Sequence, residues 1–486
     1  MKNHLVAVNI PADGLFLAIL NKAEGDLSRE NCTRILQAYL QRFVDAGVDT
    51  VFLNVNYRRA LTPSEVMDSY LYDITPDGKT LSPTTQGVSK YFMSFMDCAR
   101  PLLEKGIDIY EIATCYLRET GCKIYLSVRM NDGHYRDNPA INSPFALTHS
   151  IRGDGADLDF SQDAVQDLFC AYIEELLRTY PADGVELDWL RYPTCLPEEK
   201  RGDYTIINRY MHRVRKLLDP KLSLAVRLYP GEEKNLAHGF DVAQWICDGT
   251  ADLFTMENFY VPTNFEMPVG AWRESIAKRN TENRPYTLLC GSDWGVCCKA
   301  GDHIPMNPAL VRGFTRSCLA RGADGVYLFN FFEENDCSSY EFAAGALHNC
   351  FAERLLAAGE PDKLPQRYPH IGATARRYPI VLNPEETYTW EYPEECPKGR
   401  CSLVIGADGP VTVTADGAEI TLADEPVLPG FDLDSAKHRE SEFVYALTQL
   451  APCVRAGEIP RHTRNITVKN PSHQPVNILW LELSFE

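Results

Sequence analysis

The chain lacks several features that would classify it at once. No apolar run approaches the roughly 20 residues of a membrane-spanning helix. No Gly-x-Gly-x-x-Gly loop follows the first strand-like segment, which removes the usual mark of dinucleotide binding. Basic residues are in deficit: 48 Lys plus Arg stand against 67 Asp plus Glu, a formal net charge of −19 over 486 residues. That field repels nucleic acid and anionic membrane, so neither is an expected partner, and an anionic substrate needs a local basic pocket. Internal repeats and low-complexity tracts are missing too.

Cysteine is plentiful but unpaired in pattern. The sixteen cysteines include Cys98, Cys115, Cys170, Cys247 and Cys318, which fall singly inside helix- and strand-like segments without metal-ligand spacing. They read as reduced, buried thiols, and the adjacent Cys297 and Cys298 read as loop packing. The opening MKNHLVAVNIPADG enters a strand pattern with no secretory signal, so the expectation is a cytoplasmic or non-classically released protein.

What is present is a repeating βα pattern. Strand-like runs lie near 4–10, 48–57, 122–131, 183–189, 222–229, 252–260, 285–293 and 325–332, each followed by a helical segment. Helices are expected over 161–181, with Ser161 as its cap, over 202–220 and, as the eighth, over 342–358. Eight such units make a closed (β/α)8 barrel the expected fold, over residues 1–358. A typical barrel needs about 250 residues, so an appended module is expected as well. A Pro- and Gly-rich linker is read at 359–373, and then SLVIG, VTVTADGAEITL and NILWLELSF alternate like strands, giving an all-β sandwich over 374–486.

The chemistry of such a barrel gathers at the carboxyl ends of its strands. The most informative end is DGVELDWLRYP at 183–193, where a period of two puts Glu186 and Asp188 on one face and Val185 and Leu187 on the other. A carboxylate on the inner face of a core strand is costly unless paired or used. These two acids either form a structural ion-pair layer with Arg129 or Arg227 or carry out proton transfer. The second dense cluster is KIYLSVRMNDGHY, with Ser127, Arg129 and Asn131 on one face and Asp132 and His134 just beyond. Other strand ends supply Asp13, Asn56, Arg227, Tyr260, Asn330 and, past Trp189, Arg191. Trp189 and Trp294 suit packing or a sugar platform equally. Carboxylates, amides and aromatics together suit a sugar; Arg129, Arg191 and Arg227 converging would suit one with a carboxylate of its own.

SVRMNDGHY at 127–135, GVELDWLRYP at 184–193 and an Asp soon after strand 1 resemble the inverting exo-sialidases of glycoside hydrolase family 156. The resemblance spans most of residues 1–358 and implies removal of terminal α-linked sialic acid from a sialylated glycan. It implies Asp13 and His134 as the catalytic pair, acid and base exchangeable between them, with Asp132 polarising His134. Arg129, Arg191 and Asn330 are implied around the sialic acid, and a homodimer is suggested. Glu186, Asp188, Arg227, Asn56 and Tyr260 complete the expected substrate-binding set. No cofactor is expected. A divalent metal on Asp132, His134, Glu186 and Asp188 is disfavoured, because the paired His motif of metal hydrolases is missing. The alternatives are a retaining glycosidase using Glu186 or Asp188 on a neutral or uronic acid sugar, and a sugar-binding barrel without catalysis.

Overall fold

A computed structural model describes residues 4–69, 98–99, 101–134, 142–258, 263–293, 295–299, 302–331, 351–361, 368–371, 380–392, 401–424, 453–460 and 462–485. The backbone alone is described at 12–13, 144, 297–299, 302–305, 351 and 368–371. Eight parallel strands close into the expected barrel: β1 (Leu5–Ile10), β2 (Thr50–Asn54), β3 (Lys123–Arg129), β4 (Gly184–Asp188), β5 (Ser223–Leu228), β6 (Leu253–Met256), β7 (Thr287–Ser292) and β10 (Gly325–Leu328). A short hairpin, β8 (Gly295–Lys299) and β9 (Asp302–Pro305), leaves the mouth after β7.

The register carries the tilt. Leu5, at the base of β1, lies opposite Gly325, and the line of paired residues then runs through Leu289, Thr255, Arg227 and Asp188 to Arg129 at the top of β3. A line perpendicular to the strands therefore climbs from floor to mouth, as strands inclined by about 36° require. Outward-facing residues such as Val6, Val8, Leu126, Val128, Val185, Leu187, Val226 and Phe254 pack under the helices in the main core. Inward-facing Ala7, Phe52, Tyr125, Ala225, Leu253, Leu289, Tyr327 and Phe329 form a separate apolar plug. Above that plug the interior turns polar, and the site sits on the polar layers.

The helices obey their own end signals. Asp203 caps Tyr204–Leu217 by accepting from Thr205 N, and the last described helix before the sandwich is Phe351–Gly359. Ser161 does not cap its helix, which begins at Asp163 after Gln162 without a side-chain cap; its hydroxyl turns back to Asp159 at 2.6 Å. Asp13 stands in the first turn of the helix Ala12–Lys22 rather than in a free turn, because Pro11 fixes an extended residue before the helix starts.

The C-terminal part is a sandwich of antiparallel sheets. One contains β11 (Tyr368–Ile371), β19 (Val476–Phe485), β14 (Cys401–Ala407) and β17 (Val454–Glu458), with β12 (Ile380–Leu382) also on β19. The other orders β13 (Thr387–Glu391), β18 (Asn465–Lys469), β15 (Thr412–Ala415) and β16 (Ala418–Ile420). Strand β11 falls within the stretch read as linker and pairs with the end of β19. Val404, Val454 and Trp480 join the barrel's core cluster, and the Trp390 indole donates to Glu266 of the barrel, so the two parts share an apolar and polar seam.

The aromatic plug yields a stability prediction. Phe52 stacks on Tyr125 at 4.7 Å and meets Tyr327 edge-on at 4.9 Å, fully buried. Phe52→Ala is expected to lower unfolding free energy by about 3–5 kcal/mol. Chemical denaturation followed by tryptophan fluorescence measures this; a loss below about 1 kcal/mol would mean that the floor is not tightly packed.

Candidate active site

Strand β3 delivers the reactive cluster. Beyond Arg129 the ladder continues for one step, Met130 N donating to Asp188 O at 3.0 Å, and then the chain turns. Asn131 fixes that turn: its Nδ2 donates to Tyr192 O and Thr194 O, and its Oδ1 accepts from Leu158 N. Gly133 is required because a Cβ there would stand 2.4 Å from the Tyr192 ring. The Arg58 guanidinium donates to the carbonyls of Asp132 and His134 and to Asn142 Oδ1, clamping the loop from below.

Asp132 is the hub. One oxygen accepts from His134 N at 2.9 Å and from His134 Nδ1 at 2.8 Å, and the other accepts from Arg129 Nη1 at 3.0 Å. Its side chain is 2% exposed, while that of His134 is 34% exposed, so the imidazole alone reaches solvent. Burial by itself would raise the Asp132 carboxyl, but His134, Arg129 and Arg191 outweigh it and hold the group far below the usual carboxylate range. Arg191 Nη2 lies 3.1 Å from His134 Nε2. Since a guanidinium only donates, this network assigns the proton to Nδ1, facing Asp132, and makes Nε2 the acceptor.

Arg129 is oriented from two sides. Its guanidinium lies over the Tyr57 ring at 4.6 Å, and Asn56 holds its backbone by accepting from Arg129 N and donating to Arg129 O, both at 2.9 Å. Asn56 thus extends the β2–β3 ladder as a positioning residue. Arg129 is 3% exposed and pairs with Asp132, not with Glu186 or Asp188.

Arg227 does not join the other two arginines. Its Nε and Nη2 bind Glu257 in a two-pronged pair at 2.9 Å each, its Nη1 binds Asp188 Oδ1 at 2.8 Å, and it stacks on Phe329 at 3.5 Å. All of this lies at 1–2% exposure, so Arg227 is the cation of a buried ion network and not a clamp on substrate. Gly291 makes room for it: a Cβ there would meet Glu257 Oε2 at 2.3 Å. Glu186 lies deeper, its Oε1 accepting from Ser127 Oγ at 2.6 Å and Tyr327 Oη at 2.9 Å.

Asn330 follows β10 half-buried in a left-handed conformation (φ 45°), with no partner on its Oδ1. Trp189 is fully buried among Phe160, Tyr210 and Phe240, which makes it packing. Tyr260, Trp294 and the Asp13 side chain lie outside the described residues. The sequence reading did not single out Arg58 as a loop clamp or Glu257 as the main partner of Arg227. Their signal was a charged residue just past a strand end, which many surface residues share. Among the described residues no group of three or more His, Cys, Asp and Glu gathers as metal ligands, and of the cysteines Cys115 is exposed while most others are buried.

Removing the hub carboxylate has a signed consequence. A depressed folded-state value means that Asp132 stabilises the protein above its unfolded value of about 3.9 and that this contribution is lost as pH falls through and below that value. Asp132→Asn removes the carboxylate to which Arg129 and His134 donate, and is expected to cost about 3–5 kcal/mol at neutral pH. The gap between wild type and variant should narrow in acid; melting curves at several pH values test this, and a gap independent of pH would refute it.

No protein-family model and no curated protein sequence matches the chain. Solved structures that it is similar to include α-L-fucosidase isoenzyme 1 from Paenibacillus thiaminolyticus, 13% identical over 99% of this chain and 97% of that one, TM-score 0.36. A GH29 α-L-fucosidase from Bacteroides thetaiotaomicron is 12% identical over 99% and 93%, TM-score 0.39. The maltogenic α-amylase AmyB from Thermotoga neapolitana is 10% identical over 95% and 98%, TM-score 0.38. Values of this size leave the activity of the chain to be argued from its own residues.

Proposed function

We propose that the protein is a glycoside hydrolase acting on a sugar that carries a carboxylate: an exo-α-sialidase that inverts the anomeric centre. The observation that carries this reading is His134, met by the Arg191 guanidinium at Nε2 and held at Nδ1 by a buried carboxylate that also binds Arg129. A neutral hexose needs no such cations at the reacting centre, whereas a carboxylate on the anomeric carbon is held by them. Arg191 covers Nε2 in the free protein. An incoming sialic carboxylate draws Arg191 to itself and uncovers the lone pair that removes a proton from water. Asp132 keeps the imidazole oriented and stabilises the imidazolium formed. Asp13, placed after β1, donates a proton to the leaving oxygen. Single displacement requires about 6.5–9.5 Å between the two catalytic groups, against about 5–5.5 Å for a retaining pair.

One observation favours a second reading. Asp188, at the carboxyl end of β4, has no partner on Oδ2, which suits the nucleophile of a retaining glycosidase. Purified protein incubated with α-sialosides, uronides, fucosides and neutral hexosides, with proton NMR of the first-formed sugar, separates the readings. β-Sialic acid appearing first supports inversion; α first assigns the reaction to Asp188; binding without turnover leaves a sugar-binding barrel. Arg191→Gln should weaken sialic acid binding by about 1.5–3 kcal/mol, read by calorimetry. Unchanged affinity would remove the carboxylate clamp.

A further inference from the structure

Below the mouth the barrel interior holds more acid than base. Glu186 and Asp188 on β4 and Glu257 after β6 face a single guanidinium, Arg227 on β5, all at 0–2% exposure. Arg227 is committed to Glu257 through two bonds and to Asp188 through one. Among the described residues Glu186 accepts only from neutral donors, Ser127 of β3 and Tyr327 of β10, while its charged neighbours are Asp188 on its own strand, which disfavours its ionised form, and Arg227 of β5, which favours it.

The bonding of Glu186 is unequal. Oε1 accepts twice, while Oε2, equally buried, has no partner. Two donors on one oxygen and none on the other fits a carboxylic acid, whose carbonyl accepts and whose hydroxyl donates, and equally a carboxylate whose second oxygen accepts from such a hydroxyl. Asp188, two residues along on the same face, shows the same pattern, so one proton between the two acids serves both bare oxygens. Its Oδ1 accepts from Arg227 Nη1 and Leu190 N, and its Oδ2 is bare. On neighbouring barrel strands Asn9 of β1 has neither amide atom bonded, and Asn54 Oδ1 of β2 and Thr255 Oγ1 of β6 are bare too.

We infer that Glu186 is a neutral acid whose Oε2 proton is shared with Asp188 Oδ2, directly or through one water, so that the pair carries one negative charge instead of two. Burial first, then Asp188, pushes the Glu186 carboxyl up to about 8 against Ser127, Arg227 and Tyr327. Asp188 is the register neighbour of both Arg129 and Arg227, so ionising the pair puts a second negative charge directly beneath the arginine side of the mouth. On the sialidase reading, on which this consequence alone rests, binding of free sialic acid weakens as pH rises through that range.

The proton is read without substrate. Infrared spectra of protein labelled with carboxyl-13C glutamate should show protonated-carboxyl intensity near pH 6 that is gone by about pH 10; burial pushes Glu257 up to about 7 as well, so Glu186→Gln removes one component of the band and leaves the other, and Asp188→Asn shifts the Glu186 component. A raised folded-state value makes its stabilising contribution full below the unfolded value of about 4.3 and lost as pH passes about 8, so the melting temperature should fall across that window more steeply in wild type than in Glu186→Gln. If Glu186→Gln fails to fold, the labelled band in wild type and its shift in Asp188→Asn decide. Overturning results are no Glu186 band near pH 6, or stabilisation by sodium over choline chloride at equal ionic strength, which would put a cation where the proton is assigned. Loss of pH-dependent sialic acid binding with the band intact would count against the sialidase reading and leave the shared proton standing.

Discussion

The carboxylate of Asp132 is the interaction on which the mouth of this barrel depends. It is buried, yet it accepts from a backbone N–H, an imidazole and a guanidinium, and each of those partners is held by something else. Arg129 is stacked on Tyr57 and hung from Asn56; His134 is pressed against Tyr192 and tied by its carbonyl to Arg58. An ionised group removed from water is tolerable only when such partners replace its hydration, so the loop after β3 has one arrangement that satisfies its acid.

Polarity along the barrel axis follows the same rule. The floor is aromatic and aliphatic, where Phe52, Tyr125 and Tyr327 pack without charge. Tyr327 turns its hydroxyl upward to Glu186, which marks the change from plug to polar interior. Above it the acids of β4 and the Glu257–Arg227 pair are linked, and only the topmost groups, His134 among them, meet solvent. The network costs stability to bury and returns fixed geometry, a balance expected beneath a site that must hold donors in place without solvent help.

The negative overall charge gains meaning from this arrangement. With a formal charge of −19, the protein has no general attraction for an anion. Arg191 nevertheless stands beside the part-exposed imidazole, while Arg129 is paired with Asp132 and Arg227 with Asp188 and Glu257. An anionic group arriving beside His134 would meet a local charge of opposite sign to the global one.

Sequence alone favoured the barrel, because eight βα alternations without a Gly-rich phosphate loop suit it better than an open doubly wound sheet, which only the closed register excluded, and it determined that Glu186 and Asp188 share one face. It also marked Asp132 and His134, since a dense polar run after a buried strand is uncommon. Which arginine meets which acid was beyond it. Arg129, Arg191 and Arg227 look alike at strand ends, and only the stagger that brings Asp188 beside Arg227, and the turn that swings Asp132 back onto Arg129, separated an ion network from a rim. Those pairings join residues 3 to 39 positions apart through strand tilt and loop closure, which no local period encodes. Tertiary structure therefore decided the charge partners, and with them the chemistry available at the mouth.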